Sequence, residues 1–122
     1  IIKYCKQQEI KLAFVSSTSK NNINSIFFCL RDSLNKKDFD FIGNSKLVKK
    51  LKPSAEIYKL ALKELKLKPK ECIAIEDTQV SLNSAVKAKL KCFIFPGNFH
   101  RSKKFNGAFK EISKINKNIF KS

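Results

Sequence analysis

The chain has 122 residues, 43% of them hydrophobic, and 26 Lys and Arg against 10 Asp and Glu give it a formal charge of +16. That length suits one domain, able to bury about two thirds of its unfolded surface. No apolar run approaches the ~20 residues that span a bilayer, and no charged start followed by an apolar block marks a signal peptide, so the chain reads as soluble.

In chain order, strands alternate with helices. "KLAFVSS" (11–17) is an apolar run ending in small hydroxyl residues, with the length of a buried strand. Residues 19–34 place Ile23, Ile26, Phe27 and Leu30 at helical spacing. "DFDFIG" (38–43) is a short strand closed by a glycine. Pro53 then stands where a first-turn proline is tolerated, and Ile57, Tyr58, Ala61 and Leu65 form one face of a helix. "LKPKE" (67–71) is a polar connection before "CIAI" (72–75), a fully apolar strand. Thr78 can cap the next helix, which carries Leu82, Ala85 and Val86. "KCFIFPG" (91–97) is another buried strand stopped by Pro-Gly, and the basic tail from Asn98 onward contains a weak helix over residues 107–120. This alternation predicts βαβ units, a parallel sheet and helices on both faces.

The positive charge invites a nucleic-acid reading, because basic side chains neutralising phosphates dominate such affinity. Its distribution argues for a solvated surface instead. Twenty-four of the 26 basic residues are Lys, scattered through every segment, with Arg only at 31 and 101; a base-reading surface favours the planar fork of Arg. Cys5, Cys29, Cys72 and Cys92 lie far apart with no C-x-x-C pair, which argues against zinc. Cys72 and Cys92 sit in strand runs, where a thiol acts as a small apolar filler.

In parallel sheets, functional groups gather beyond the carboxyl ends of the strands. Ser16 and Ser17 end one strand, and Glu76 and Asp77 end another, so both pairs should share a rim. Adjacent carboxylates suit a hard cation such as Mg²⁺, hydroxyls and N–H groups at a strand-to-helix turn suit a phosphate, and Lys52 can add positive charge to it. Each piece alone has a plainer reading, as a helix-start charge pair, a common turn or one lysine among many. Together they describe a phosphoryl-transfer site.

"FVSST" (14–18), "KPSAEIYKLALKEL" (52–65) and "AIEDTQVSLNSAVKAKL" (74–90) resemble motifs two, three and four of the haloacid dehalogenase (HAD) superfamily, in its β-phosphoglucomutase and CbbY-like group. "NFHRSKKFNGA" (98–108) resembles the stretch that follows the last core strand in CbbY-like members. The resemblance implies an α/β, Rossmann-like core and a Mg²⁺-dependent phosphatase or mutase acting on a small sugar phosphate. It makes Ser16, with Ser17 beside it, the phosphate-binding hydroxyl pair. Lys52 becomes the lysine that neutralises phosphate and nucleophile, Asp77 a Mg²⁺ ligand, and Glu76 its acidic companion, as ligand or behind it.

The family's nucleophile, an aspartate in D-x-D-G-T, has no counterpart here. "DFD" (38–40) imitates its spacing, but "NKK" precedes it and no Gly-Thr follows. The cap domain and the central first strand of the family are also absent from this sequence. The strands ending at Ser16 and Asp77 should therefore flank a gap two strand spacings wide, roughly 10 Å. The expectation is the C-terminal half of a core domain: residues 1–97 hold the strands and helices and 98–122 the tail. The whole protein is then expected to be a cytoplasmic or organelle-stromal monomer with no membrane or nucleic-acid partner. Where the family commonly has glycine, this chain has Ser81 and Lys89, and Lys89 would cost a left-handed cap. A catalytically inactive remnant is the alternative reading, followed by a basic nucleic-acid module.

Overall fold

The computed structural model describes residues 1–96 and 104–121. Helix α1 (Ile2–Gln7) leads into strand β1 (Ala13–Phe14), followed by α2 (Lys20–Cys29) and β2 (Phe41–Ile42). Helix α3 (Glu56–Leu65), β3 (Ile73–Glu76), α4 (Gln79–Lys87), β4 (Lys91–Ile94) and β5 (Lys110–Glu111) complete the order. All strand pairs are parallel: β1 with β2 in one sheet, β3 with β4 and β4 with β5 in another. This is the expected α/β, Rossmann-like arrangement.

Local signals account for the helices. Ser19 caps α2 by accepting the Asn22 N–H at 3.1 Å, and Ile23 and Phe27, one turn apart, are buried. Phe14, Phe27 and Phe39 meet with ring centres 5.2–5.8 Å apart, which fastens α2 to the first sheet. In α3, Ile57, Tyr58, Ala61 and Leu65 are all buried, as their spacing predicts. Thr78 caps α4 through the Ser81 N–H at 3.2 Å. Helix α3 touches β2 and α4, and α4 touches β3 and β4, so this helix pair spans both sheets. Cys92, Phe93 and Ile94 are buried, as a strand covered on both faces requires. All four cysteines are free thiols, and burial pushes the Cys92 thiol up to about 12.

The structure departs from expectation in four places. Helix α3 begins at Glu56 rather than at Pro53, because the turn before it is held by Ser54 N–H on Leu51 O at 3.0 Å and by Ser84 Oγ donating to Ser54 O at 2.6 Å. On α4 it is accordingly Ser84, fully buried, that faces inward, while Val86 is 40% exposed. Residues 107–120 hold no α-helix: Phe109 N–H and Ile112 N–H donate to Cys92 O and Ile94 O, making β5, and only a 3₁₀ turn (Lys117–Lys121) follows. Helix α1, not anticipated, buries Cys5. Part of the tail resemblance, residues 98–103, lies outside the described residues, and among the described residues no helix is long and apolar enough to cross a membrane.

Candidate functional site

Strands β1 and β3 do not pair with each other; they face one another across a cleft of about 1000 Å³. Along β1, Leu12 O and Phe14 O accept from Asp40 N–H and Gly43 N–H, so these residues turn toward β2. Along β3, Glu76 O accepts the Phe95 N–H, so Glu76 and Ala74 turn toward β4. Backbone polarity alternates in a parallel strand, which leaves Ala13, Val15, Ile73 and Ile75 directed at the cleft.

All five predicted site residues line the rim of this cleft at the carboxyl ends of β1 and β3. Ser16 Oγ accepts the Thr18 N–H at 3.1 Å, and Ser17 Oγ accepts the Lys52 N–H at 3.1 Å. Each hydroxyl therefore keeps its own proton to donate. The Lys52 ammonium donates to Val15 O at 3.0 Å and to Glu76 Oε2 and Oε1 at 2.9 and 3.2 Å. It thereby ties the end of β1 to the end of β3. The pair is nearly enclosed, with side chains 7% and 10% exposed.

Tyr58 on α3 belongs to the same cluster, although its helical spacing announced only a core position. Lys52 Nζ lies 5.2 Å from its ring centre, over the aromatic face. Burial raises the Glu76 carboxyl above its ordinary value, outweighing the Lys52 charge and the hydrogen bonds that lower it. Burial, and next the charge of Glu76, lift the Tyr58 phenol well above its usual value, so it remains a donor. The one sequence signal for Tyr58 is its hydroxyl, since a buried phenol needs a polar partner where Phe would not.

Asp77, the next residue after Glu76, is exposed and, among the described residues, forms no ion pair. Its oxygens are hard donors of the kind Mg²⁺ takes, together with retained waters and phosphate. Both Glu76 oxygens face Lys52 instead. Among the described residues no group of three or more His, Cys, Asp or Glu could enclose a metal. The chain thus fits a cation as a partial donor set, with Asp77 as its contribution. Asp40 lies at the opposite end of β1, where its Oδ2 accepts the Leu12 N–H at 2.8 Å. That position separates the "DFD" segment from the rim.

A model of the haloacid dehalogenase-like hydrolase family matches residues 1–95. Protein CbbY of Cereibacter sphaeroides is 34% identical over 108 residues, covering 88% of this chain and 47% of its own length. The crystal structure of CbbY from Rhodobacter sphaeroides in complex with phosphate superposes with a TM-score of 0.84 at 33% identity, over 91% of this chain and 49% of that one. A β-phosphoglucomutase from Clostridium difficile gives a TM-score of 0.76 at 27% identity, over 98% of this chain and 51% of that one. The chain spans about half the length of the curated relatives it matches.

Proposed function

The chain belongs to the haloacid dehalogenase-like hydrolase family, and from that premise we propose that it forms the phosphate- and Mg²⁺-binding half of a phosphatase for a small sugar phosphate. The observation that carries this reading is the convergence of Ser16, Ser17, Lys52 and Asp77 on one rim, beyond the carboxyl ends of two parallel strands. A solved structure of CbbY in complex with xylulose-1,5-bisphosphate supports the substrate class.

The division of labour follows from the bonds already made. Ser16 and Ser17 donate their hydroxyl protons to phosphate oxygens, because their lone pairs already hold the Thr18 and Lys52 N–H groups. Lys52 supplies positive charge from a nearly dry position, where it acts more strongly than in water. Glu76 holds Lys52 in place, and Asp77 holds the cation. Mg²⁺ held by Asp77 would supply positive charge that stabilises the phosphoryl group. The attacking carboxylate, in the family an aspartate that forms an aspartyl-phosphate, comes from polypeptide outside these 122 residues.

The test is turnover of a sugar-phosphate panel by the native polypeptide with and without Mg²⁺. Asp77→Asn is expected to abolish Mg²⁺-dependent phosphate release while leaving the circular dichroism spectrum unchanged. Full activity in that variant would sink the assignment. Intact-mass measurement of the native polypeptide separates this reading from a remnant: a chain about this length has no nucleophile and no turnover.

A further inference from the structure

Ser84 is fully buried on α4, a helix whose Leu82 and Ala85 belong to the core. A serine inside a helix ordinarily faces solvent or bonds the carbonyl four residues earlier. Ser84 instead sends its one hydroxyl proton out of the helix, to the Ser54 carbonyl at 2.6 Å, near the short end for such a bond. That carbonyl lies just before α3 and two residues after Lys52. The first backbone bond of α3 runs from Lys59 N–H to Ala55 O at 2.9 Å. Ser54 O is therefore the acceptor that would lengthen the helix by one residue, through the Tyr58 N–H.

We propose that Ser84 is a positioning residue whose buried hydroxyl keeps the Lys52 turn out of α3 and fixes it against α4, so that the ammonium meets a phosphate at the rim. The proposal rests on the phosphate role given to Lys52 above. Helix α4 is a firm base, since Thr78 caps it and Leu82 and Ala85 are fully buried. The bonds from Ser54 N–H to Leu51 O and from Lys49 and Lys50 N–H to Glu56 stay within the turn and α3. They shape the turn but do not fasten it to the second sheet. With the hydroxyl gone, Ser54 O loses its donor, and the Tyr58 N–H is the nearest replacement along the chain. Helix α3 then grows toward Pro53, and Lys52 is drawn with it, away from Val15 O and Glu76.

The decisive variant is Ser84→Ala, which removes the hydroxyl and suits the middle of a helix. Three readouts are taken on the native polypeptide: hydrogen exchange of the Tyr58 amide, affinity for inorganic phosphate, and affinity for Mg²⁺ alone. The expected result is a retained fold by circular dichroism, slower Tyr58 exchange, and phosphate binding weakened about tenfold, as for loss of partners that orient metal ligands. Mg²⁺ affinity is expected to be unchanged, because Asp77 is untouched. An unchanged Tyr58 exchange rate overturns the role of Ser84, and needs no phosphate to be read. Slower exchange with wild-type phosphate affinity also overturns it, because the turn then moves without consequence for the anion. Equal losses of phosphate and Mg²⁺ affinity overturn it too, since a general loosening explains both. Should Ser84→Ala fail to fold, Ser84→Cys, which keeps a weak donor of similar size, is judged by the same outcomes. Wild-type protein that binds no phosphate overturns the parent reading and, with it, the purpose given to Ser84.

Discussion

Lys52 is the residue on which the two sheets depend for a polar connection. Among the described residues its ammonium is the group that bonds both the end of β1 and the end of β3. Its backbone N–H is held by Ser17, and the turn around it is anchored by Ser84 on α4 and by Glu56, whose oxygens accept the Lys49 and Lys50 N–H groups at 2.8 and 3.0 Å. Lys52→Met would strand the Glu76 carboxylate in a buried place, at a cost of about 3 kcal/mol near neutral pH. The pH dependence follows from Glu76. Burial already holds its folded pKa above the unfolded value, so its ionised form weighs against folding above that pKa, and the penalty fades as pH falls through it. Removing Lys52 raises that pKa further. Urea denaturation should therefore show the largest deficit at about pH 7 and a smaller one at about pH 5. A deficit independent of pH would mean that Glu76 is not the group left unpaired.

Among the elements, α4 shows how a departure from the family pattern is accommodated. The helix ends at Ala88, and Lys89 takes the left-handed conformation, with φ 66°, that closes it. A side chain there costs about 1 kcal/mol that glycine would avoid. Lys89→Gly is accordingly expected to raise thermal stability by about 1 kcal/mol, read as a higher Tm; an unchanged or lower Tm would show that the strain is relieved elsewhere. Element type was legible for α2, α3 and α4 because each has a hydrophobic face at helical spacing, and Thr78 marked the start of α4. It was not legible over residues 107–120. Phe109, Ile112 and Ile119 are spaced as on a helix, yet the open edge of β4 offers Cys92 O and Ile94 O, and the backbone of β5 satisfies them. An available ladder of hydrogen bonds outweighs a weak helical pattern.

At the scale of the molecule, the two sheets share one helix layer but leave β1 and β3 facing each other unpaired. The backbone groups of Ala13, Val15, Ile73 and Ile75 point into the cleft, while those of Leu12, Phe14, Ala74 and Glu76 are turned toward sheet neighbours. Hydrogen exchange of this 122-residue chain should therefore alternate along both strands, fast at 13, 15, 73 and 75 and slow at 14, 74 and 76. Uniform protection would mean that another segment has filled the cleft. Such an edge is also where a free copy of the chain would associate with another strand.

By itself the sequence determined the alternation of strands and helices, the parallel sheet, and the identity of the rim residues, because apolar runs, caps and strand-end motifs are local patterns. The absence of a D-x-D-G-T motif was equally plain, and with it the expectation of a cleft between the strands that end at Ser16 and Asp77. Only the tertiary structure decided how the rim residues are used. It put both Glu76 oxygens on Lys52, laid the Lys52 ammonium over the Tyr58 ring, left Asp77 exposed, tied Ser84 to the Ser54 carbonyl, and gave the tail to β4. The physical reason is that these are pairings between groups distant along the chain, and nothing in a local pattern specifies which buried donor will meet which acceptor.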